Sequence, residues 1–265
     1  MNRAYFNGLK VVGRKELPDG FVFEISSNTA FDSFRFNGAQ GQYDAELYSR
    51  NNTLVQTYID LIGDETITFP TGTKYFIRII PKGANPFSTF ALQNEGRFRG
   101  VVSWGDEIIW SSFLRIFRGT QASFFPPGAI PNVQNVIRLD QFVQSVPQFT
   151  FVPKGFFDNF VNATNMRNAF DRPGVLSIPV GFLNNCVNVT NYDNFLRGAD
   201  IGVESLSRLY IELEATNSNS NVPFHGGVSK YDPDFTIPEF PGKTTSQARN
   251  DLIARGWQLT DGGTI

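Results

Sequence analysis

Paired carboxylates are the only serious route to catalysis among the side chains of this chain. His225 is the single histidine, so a Ser-His-Asp triad or a Cys-His pair would have to use it. It stands in Phe224-His225-Gly226-Gly227, a glycine-rich turn with no nucleophile at elbow spacing, and reads as a turn histidine bonded to backbone. Cys186 is the single cysteine, which excludes an internal disulfide, and one Cys with one His cannot fill a tetrahedral zinc site. Sugar cleavage needs two carboxyls about 5 to 10 Å apart, and Asp158, Asp171, Asp193 and Asp200 are the candidates. In repeat register, however, Asp158 is replaced by Asn184 and Asp193 stands where Arg167 stood, so no acid ladder forms. Asp64-Glu65 and Asp106-Glu107 lack the spaced oxygen ligands of a calcium loop. The chain is expected to be no enzyme, with no catalytic, metal or cofactor-binding residues and no cofactor.

The elements that would carry any such residues are written twice. Val152-Pro153-Lys154-Gly155-Phe156-Phe157-Asp158-Asn159-Phe160-Val161-Asn162 recurs as Ile178-Pro179-Val180-Gly181-Phe182-Leu183-Asn184-Asn185-Cys186-Val187-Asn188, and nine of 21 positions from Val152 and Ile178 are identical. An earlier copy starts at Phe125, with Pro126, Gly128, Asn132 and Asn135 over Pro153, Gly155, Asn159 and Asn162. The run from Trp110 to Gly119 reads as the second half of a coil before that. A fixed period of this length marks a solenoid of stacked coils, which offers a long regular surface rather than a cleft.

Within the template, Pro126, Pro153 and Pro179 with Gly128, Gly155 and Gly181 are expected to fix a bend, while Phe, Leu and Val point inward. Asparagines recur in register as Asn132, Asn159 and Asn185, as Asn135, Asn162 and Asn188, and as Asn168 and Asn194. Stacked amides are expected to form a ladder, each bonding the backbone of its own turn and the same amide above and below. The sequons at Asn162 and Asn188 lie inside this ladder and read as architecture rather than glycosylation sites. Cys186 takes the position of Phe160 and reads as a small packed residue.

Upstream, short apolar runs alternate with polar residues: Phe21 to Ile25, Phe31 to Phe36, Tyr43 to Leu47 and Tyr75 to Ile80. Alternation puts Phe34 and Phe36 on one face and Arg35 on the other, and Asn37-Gly38 reads as a tight turn. The composition includes 27 Phe against two Met and three Trp, which suits strands and stacked coils over helical bundles. The net charge of −2 and the lack of a basic cluster argue against nucleic acid, and no apolar stretch approaches the ~20 residues of a membrane span. At the other end, Thr245 or Ser246 reads as the N-cap of a helix over 247–255 with Ala248, Leu252 and Ile253 on one stripe, closed by Gly256 and a short strand at Trp257 and Leu259.

The repeated coil resembles the BspA-type leucine-rich repeats of surface proteins of Bacteroidetes and other bacteria, and of virion proteins of phages that infect them. The entry Val102 to Phe113, the exit Asn219 to Tyr231 and the closing unit Ala248 to Gly263 are similar to the frame of the same family, so the likeness covers roughly residues 100–265. The coils depart from it in being poor in leucine, with Phe often at the inner corner. The resemblance implies adhesion or surface display and brings no catalytic residues.

The resulting expectation is a mainly β chain: an immunoglobulin-like β-sandwich over 1–99 with a docking arm at 1–20, a leucine-rich-repeat-like solenoid over 100–215, and a helix-strand cap over 216–265. The expected function is a phage virion structural protein on the particle exterior that contacts the host surface or a glycan. No secretory signal is read at the start, which favours the virion over a BspA-type adhesin on the bacterial surface; a glycan depolymerase is the third reading. Expected partners are other virion proteins, a host surface or glycan, and further copies in a homo-oligomer, with no nucleic acid and no membrane insertion.

Overall fold

The computed structural model describes residues 17–26, 32–70, 74–84, 87–92, 96–174 and 177–265. Most of the arm expected at 1–20 therefore lies outside the described residues. The fold is mainly β, with open antiparallel sheets and two α-helices among the described residues. A five-stranded antiparallel sheet has the order β5 (Leu54–Ile62), β4 (Gln42–Ser49), β7 (Lys74–Lys82), β1 (Phe21–Ser26), β9 (Phe98–Trp104). Two short pairs accompany it, β2 (Asp32–Arg35) with β6 (Thr66–Phe69) and β3 (Asn37–Gln40) with β8 (Thr89–Ala91).

The alternation read in the sequence places the side chains. Phe34 and Phe36 are buried and Arg35 is exposed, and the Phe34 ring packs 5.2 Å from that of Phe23 in β1. Tyr43, Ala45 and Leu47 of β4 enter the same core. The opposite face of the sheet carries cross-strand ion pairs, Lys74–Glu24 at 2.8 Å, Arg78–Glu46 at 3.2 Å and Lys82–Asp44 at 3.2 Å. Asn37-Gly38 is not a tight turn. It belongs to β3, and the chain changes direction at Gly41 (φ 96°), between β3 and β4. Phe36 explains the difference: its buried ring keeps the chain extended, so β2 and β3 take separate partners.

Among the described residues from 105 to 202 no helix or named strand forms. The backbone instead runs through successive turns in which an inward residue donates its N–H to the carbonyl three residues back. Ala163 donates to Phe160 at 3.1 Å, Val136 to Val133 at 2.9 Å, and Val189 to Cys186 at 3.3 Å. Every third side chain is thereby buried, as in Ile130, Val133, Val136, Leu139 and Phe142, and one period later in Phe157, Phe160, Ala163, Met166 and Ala169. Val161 and Val187, which fall outside this triplet, are exposed rather than inward. The remaining backbone groups bond to the neighbouring unit: Leu139 to Asn165 (2.9 Å), Met166 to Asn191 (2.9 Å), Phe117 to Phe142 (3.0 Å) and Phe170 to Phe195 (2.9 Å).

β9 joins the two halves. One of its edges pairs with β1, and the other meets the first repeat through Gly100–Phe124, with Ser123 donating to Arg99 at 2.8 Å. The boundary expected at 99/100 falls inside this strand, and one buried apolar cluster runs from Phe21 to Trp257 across it. The boundary expected at 215/216 likewise falls inside α1 (Val203–Thr216), a helix absent from the sequence expectation. α2 (Thr245–Ala254) is capped one residue earlier than expected, by Thr244, whose side chain accepts from Gln247 N while Gln247 bonds back to the Thr244 N–H. Gly256 (φ 85°) ends the chain's helical course. Ile253 is exposed, leaving Ala248 and Leu252 as the buried stripe. β10 (Pro223–His225) and β11 (Gln258–Thr260) pair in parallel beside the last repeat, with Tyr192 bridged to Phe224. No described helix is long and apolar enough to cross a membrane.

Gly100 is the tightest point of the joint, because a Cβ there would stand 2.3 Å from the Phe124 carbonyl oxygen. Gly100→Ala is expected to lower the unfolding free energy by about 2 kcal/mol, the usual cost of overpacking. Urea unfolding followed by Trp fluorescence measures it, and an unchanged midpoint would contradict the account of the joint.

Candidate functional site

The regular surface of residues 105–200 is the feature that sets this chain apart, and its geometry follows from what each column of side chains bonds to. Gly128, Gly155 and Gly181 all adopt positive φ (94°, 79° and 74°), where only glycine is free of strain, so the Pro-x-Gly bend repeats with the period. Pro126, Pro153 and Pro179 precede them at the same offset. Two further left-handed columns run through Arg115, Gln141, Asn168 and Asn194 and through Gly119, Ser145, Arg172 and Gly198. Asn168 and Asn194 thus serve the backbone through conformation, since asparagine tolerates this region better than most residues.

The asparagine ladder differs from expectation in its partners. Asn159 donates its amide to the Ile130 carbonyl (2.9 Å), Asn162 to Gln134 (2.9 Å), Asn185 to Asp158 (2.9 Å) and Asn188 to Val161 (2.8 Å). Asn132 reaches the Asp106 carbonyl in the same sense. Each amide therefore bonds to main chain of the preceding unit and not to the amide above or below it. The reason is supply: the turn-rich backbone leaves outward carbonyls that only a side-chain donor can satisfy. Asn135, at the first repeat, has no such side-chain bond among the described residues. The column is continued by two residues the sequence reading did not single out, Asn219 to the Val187 carbonyl (3.0 Å) and Asn217 to Val189 (2.9 Å).

Other columns bond side chain to side chain, among them Arg115 to Gln141 at 2.7 Å, and one such column is centred on a buried acid. Gln144, Asp171 and Arg197 are in register; Gln144 Nε2 donates to Asp171 Oδ2 at 2.7 Å, and Arg197 donates from Nε and Nη2 at 2.8 and 2.6 Å. Asp171 is fully buried. Burial alone would raise its carboxyl, but the hydrogen bonds from Arg197 and Gln144 outweigh it and hold the group below the ordinary carboxylate value. The other three candidate acids are separately occupied or isolated. Asp193 pairs with Arg167 at 3.1 Å, Asp200 accepts from Ser229 Oγ at 3.1 Å and from the Gly202 N–H, and Asp158 is exposed.

The remaining candidates for chemistry are equally engaged. His225 accepts the Gly227 N–H on Nδ1 at 3.2 Å, and burial, helped by Arg197, lowers its basicity. Cys186 is buried below Phe160, and burial pushes its thiol up. Among the described residues no group of three His, Cys, Asp or Glu is placed to hold a metal ion. Beyond the last repeat, α1 supplies Glu212, which is buried and accepts the Gly181 N–H at 2.9 Å, and Arg208, which donates to the Ile178 carbonyl at 2.8 Å. What the columns leave exposed includes apolar side chains at separate repeat positions, Ile137, Phe151, Val161, Val180 and Val187 among them, of which Phe151 is 60% exposed and lies beside Ser177. The Gln148–Gln121 amide pair (2.8 Å) sits three residues before the Phe124 and Phe151 positions. Comparison with family models, curated proteins and solved structures returns no match.

Removing Arg197 takes away the main cation bonded to the buried Asp171, which keeps only Gln144 and the Arg172 contact at 3.5 Å. Arg197→Met is expected to cost about 3 kcal/mol, and Asp171→Asn less, because Arg197 is partly exposed and can turn to water. Since the folded carboxyl lies below its unfolded value of about 3.9, its contribution is complete above that pH and is lost as the pH falls through the folded value. Denaturant titrations between neutral and acid pH are expected to show this slope in the parent protein and a shallower one in Asp171→Asn.

Proposed function

We propose that this chain is a non-enzymatic display protein of a phage virion, carried on the outside of the capsid or tail, that attaches to a host surface or glycan. In this reading the first hundred residues form an immunoglobulin-like β-sandwich that docks onto the particle with residues 1–20. Residues 100–215 form a short BspA-like leucine-rich-repeat solenoid, and residues 216–265 cap it.

One observation carries the proposal: units related by the 26–27-residue period are hydrogen-bonded to one another, and their polar side chains are spent on that joining. Such an arrangement supplies a periodic surface and no reactive group, which suits multivalent contact with a repeating ligand. The exposed Phe151 ring with neighbouring amides and hydroxyls offers the flat apolar face and polar rim on which a sugar ring stacks. The virion setting rests on the resemblance of the coil, its entry, its exit and its closing unit to phage-borne members of the BspA type.

Mass spectrometry of purified virions is expected to find this chain at structural copy number; finding it instead on bacterial envelopes would favour the adhesin reading. On a glycan array, binding without release of shorter sugars is expected, and Phe151→Ala is expected to weaken it about tenfold, the equivalent of about 1.4 kcal/mol. Measurable cleavage would reject a non-enzyme.

A further inference from the structure

Charge is unevenly spread over the repeated units. Segments 113–119, 138–145, 165–172 and 191–198 lie side by side, joined by main-chain bonds from the N–H of Arg115 to Asp140 (2.9 Å), of Gln141 to Arg167 (3.0 Å) and of Asn168 to Asp193 (2.9 Å). They hold six arginines, Arg115, Arg118, Arg138, Arg167, Arg172 and Arg197, against three acids, Asp140, Asp171 and Asp193, with no lysine or glutamate. Six less three leaves three positive charges in excess here, on a chain whose net charge is −2.

The acids do not use the arginines up. Asp140 and Asp171 are buried, whereas the side chains of Arg138, Arg167, Arg172 and Arg197 are 40–66% exposed, so each guanidinium keeps donors that face water. Arg172 and Arg197 share the one carboxylate of Asp171. Arg115 and Arg118 meet on the neutral Gln141 Oε1, at 2.7 and 3.4 Å, and neither has a carboxylate partner among the described residues.

We propose that these four segments bind a linear acidic polysaccharide, one whose sugars carry carboxylates. The inference rests on the attachment reading and names the class of glycan. Arginine's planar fork matches a carboxylate through two parallel bonds, which the point charge of a lysine does not. Asn165 and Asn191 stand beside Arg138 in the next two units; each spends its side-chain oxygen on a main-chain N–H, of Arg167 and Asp193, and keeps its amide donors for a sugar hydroxyl. Nucleic acid fits less well. A duplex carries a charge about every 1.7 Å, far denser than this excess, and every aromatic ring in the four segments is buried, so none can stack a base.

Calorimetric titration of the full chain with polygalacturonate, neutral dextran and single-stranded poly(dT) tests the proposal. Polygalacturonate is expected to bind at low salt and to be released near 1 M salt, where the Debye length is about 3 Å; dextran and poly(dT) are expected to bind more weakly or not at all. Arg115→Gln combined with Arg118→Gln is expected to weaken polygalacturonate binding about tenfold, the scale of two exposed ion pairs. Its thermal melt by circular dichroism is expected to match the parent's, because these two side chains bond only to Gln141 among the described residues. Arg172→Gln, which leaves Asp171 its closer bond to Arg197, is expected to weaken binding too. Lys154→Gln, at an exposed cation outside the four segments, is expected to change nothing. Polygalacturonate that fails to bind, or binding indifferent to salt or to the arginine variants, would overturn the proposal, as would equal weakening by Lys154→Gln or poly(dT) held as tightly. Capture of neutral sugars alone on the glycan array would also overturn it while leaving the attachment role standing.

Discussion

The governing constraint is that nearly a hundred residues here have neither helix nor sheet to satisfy their main chain. A buried N–H or carbonyl without a partner costs about 1–3 kcal/mol, so a turn-rich segment survives only where another segment accepts its bonds. Turns of the Phe160–Ala163 kind satisfy some groups locally, and the neighbouring unit takes the rest, from the Trp110–Asn132 bond to the Tyr192–Pro223 bond. No unit is complete alone. The two ends of the series must therefore be closed by something that already has its own structure. β9 does this at the start, borrowing stability from the sheet, and α1 with β10 and β11 does it at the finish.

The abundance of phenylalanine follows from the same geometry. A turn-rich unit with one inward side chain per three residues has few anchors, so each must be large to fill the space between units. Rings pass the contact along the molecule: Trp104 to Phe125 (5.8 Å), Phe125 to Phe142 (6.2 Å), Phe142 to Phe170 (6.3 Å) and Phe170 to Phe195 (5.4 Å). Volume is balanced between adjacent columns. Phe142-Val143 stands over Ala169-Phe170, which stands over Phe195-Leu196, so a small residue in one column is offset by a ring in the next. Cys186 under Phe160 is one more such adjustment.

Much of this was legible in the sequence, because the period, the Pro-x-Gly bends and the strand alternation are set by local stereochemistry. The α2 cap was off by a single residue, since Thr244, Thr245 and Ser246 all carry a hydroxyl and only the Gln247 reciprocal bond selects Thr244. The triplet burial was written in plain view as Phe157, Phe160, Ala163, Met166 and Ala169, but a spacing of three matches neither the strand nor the helix template and passed unread. α1 was also readable, from Leu206, Leu209, Tyr210 and Leu213; the expectation of continuing repeats overrode it. The amide partners were not readable at all. Which carbonyl an asparagine reaches depends on how far each unit is offset from the one before, and no residue type encodes that offset.

That offset also explains why one column is chemically mixed. Asn162 and Asn188 make the same bond to the preceding unit, so they hold units together without distinguishing one from the next. Gln144, Asp171 and Arg197 do distinguish them, because an acid between an amide and a guanidinium matches only one order of units. Slipping the series by one period would strand the buried Asp171 without Arg197, at a cost of several kcal/mol. The carboxylate best placed by burial to attract a catalytic interpretation is therefore spent on order, and the asparagine columns are spent on cohesion. The side chains left exposed between these bonds, Phe151 and the valines at 161 and 187 among them, are what remains to meet anything outside the molecule.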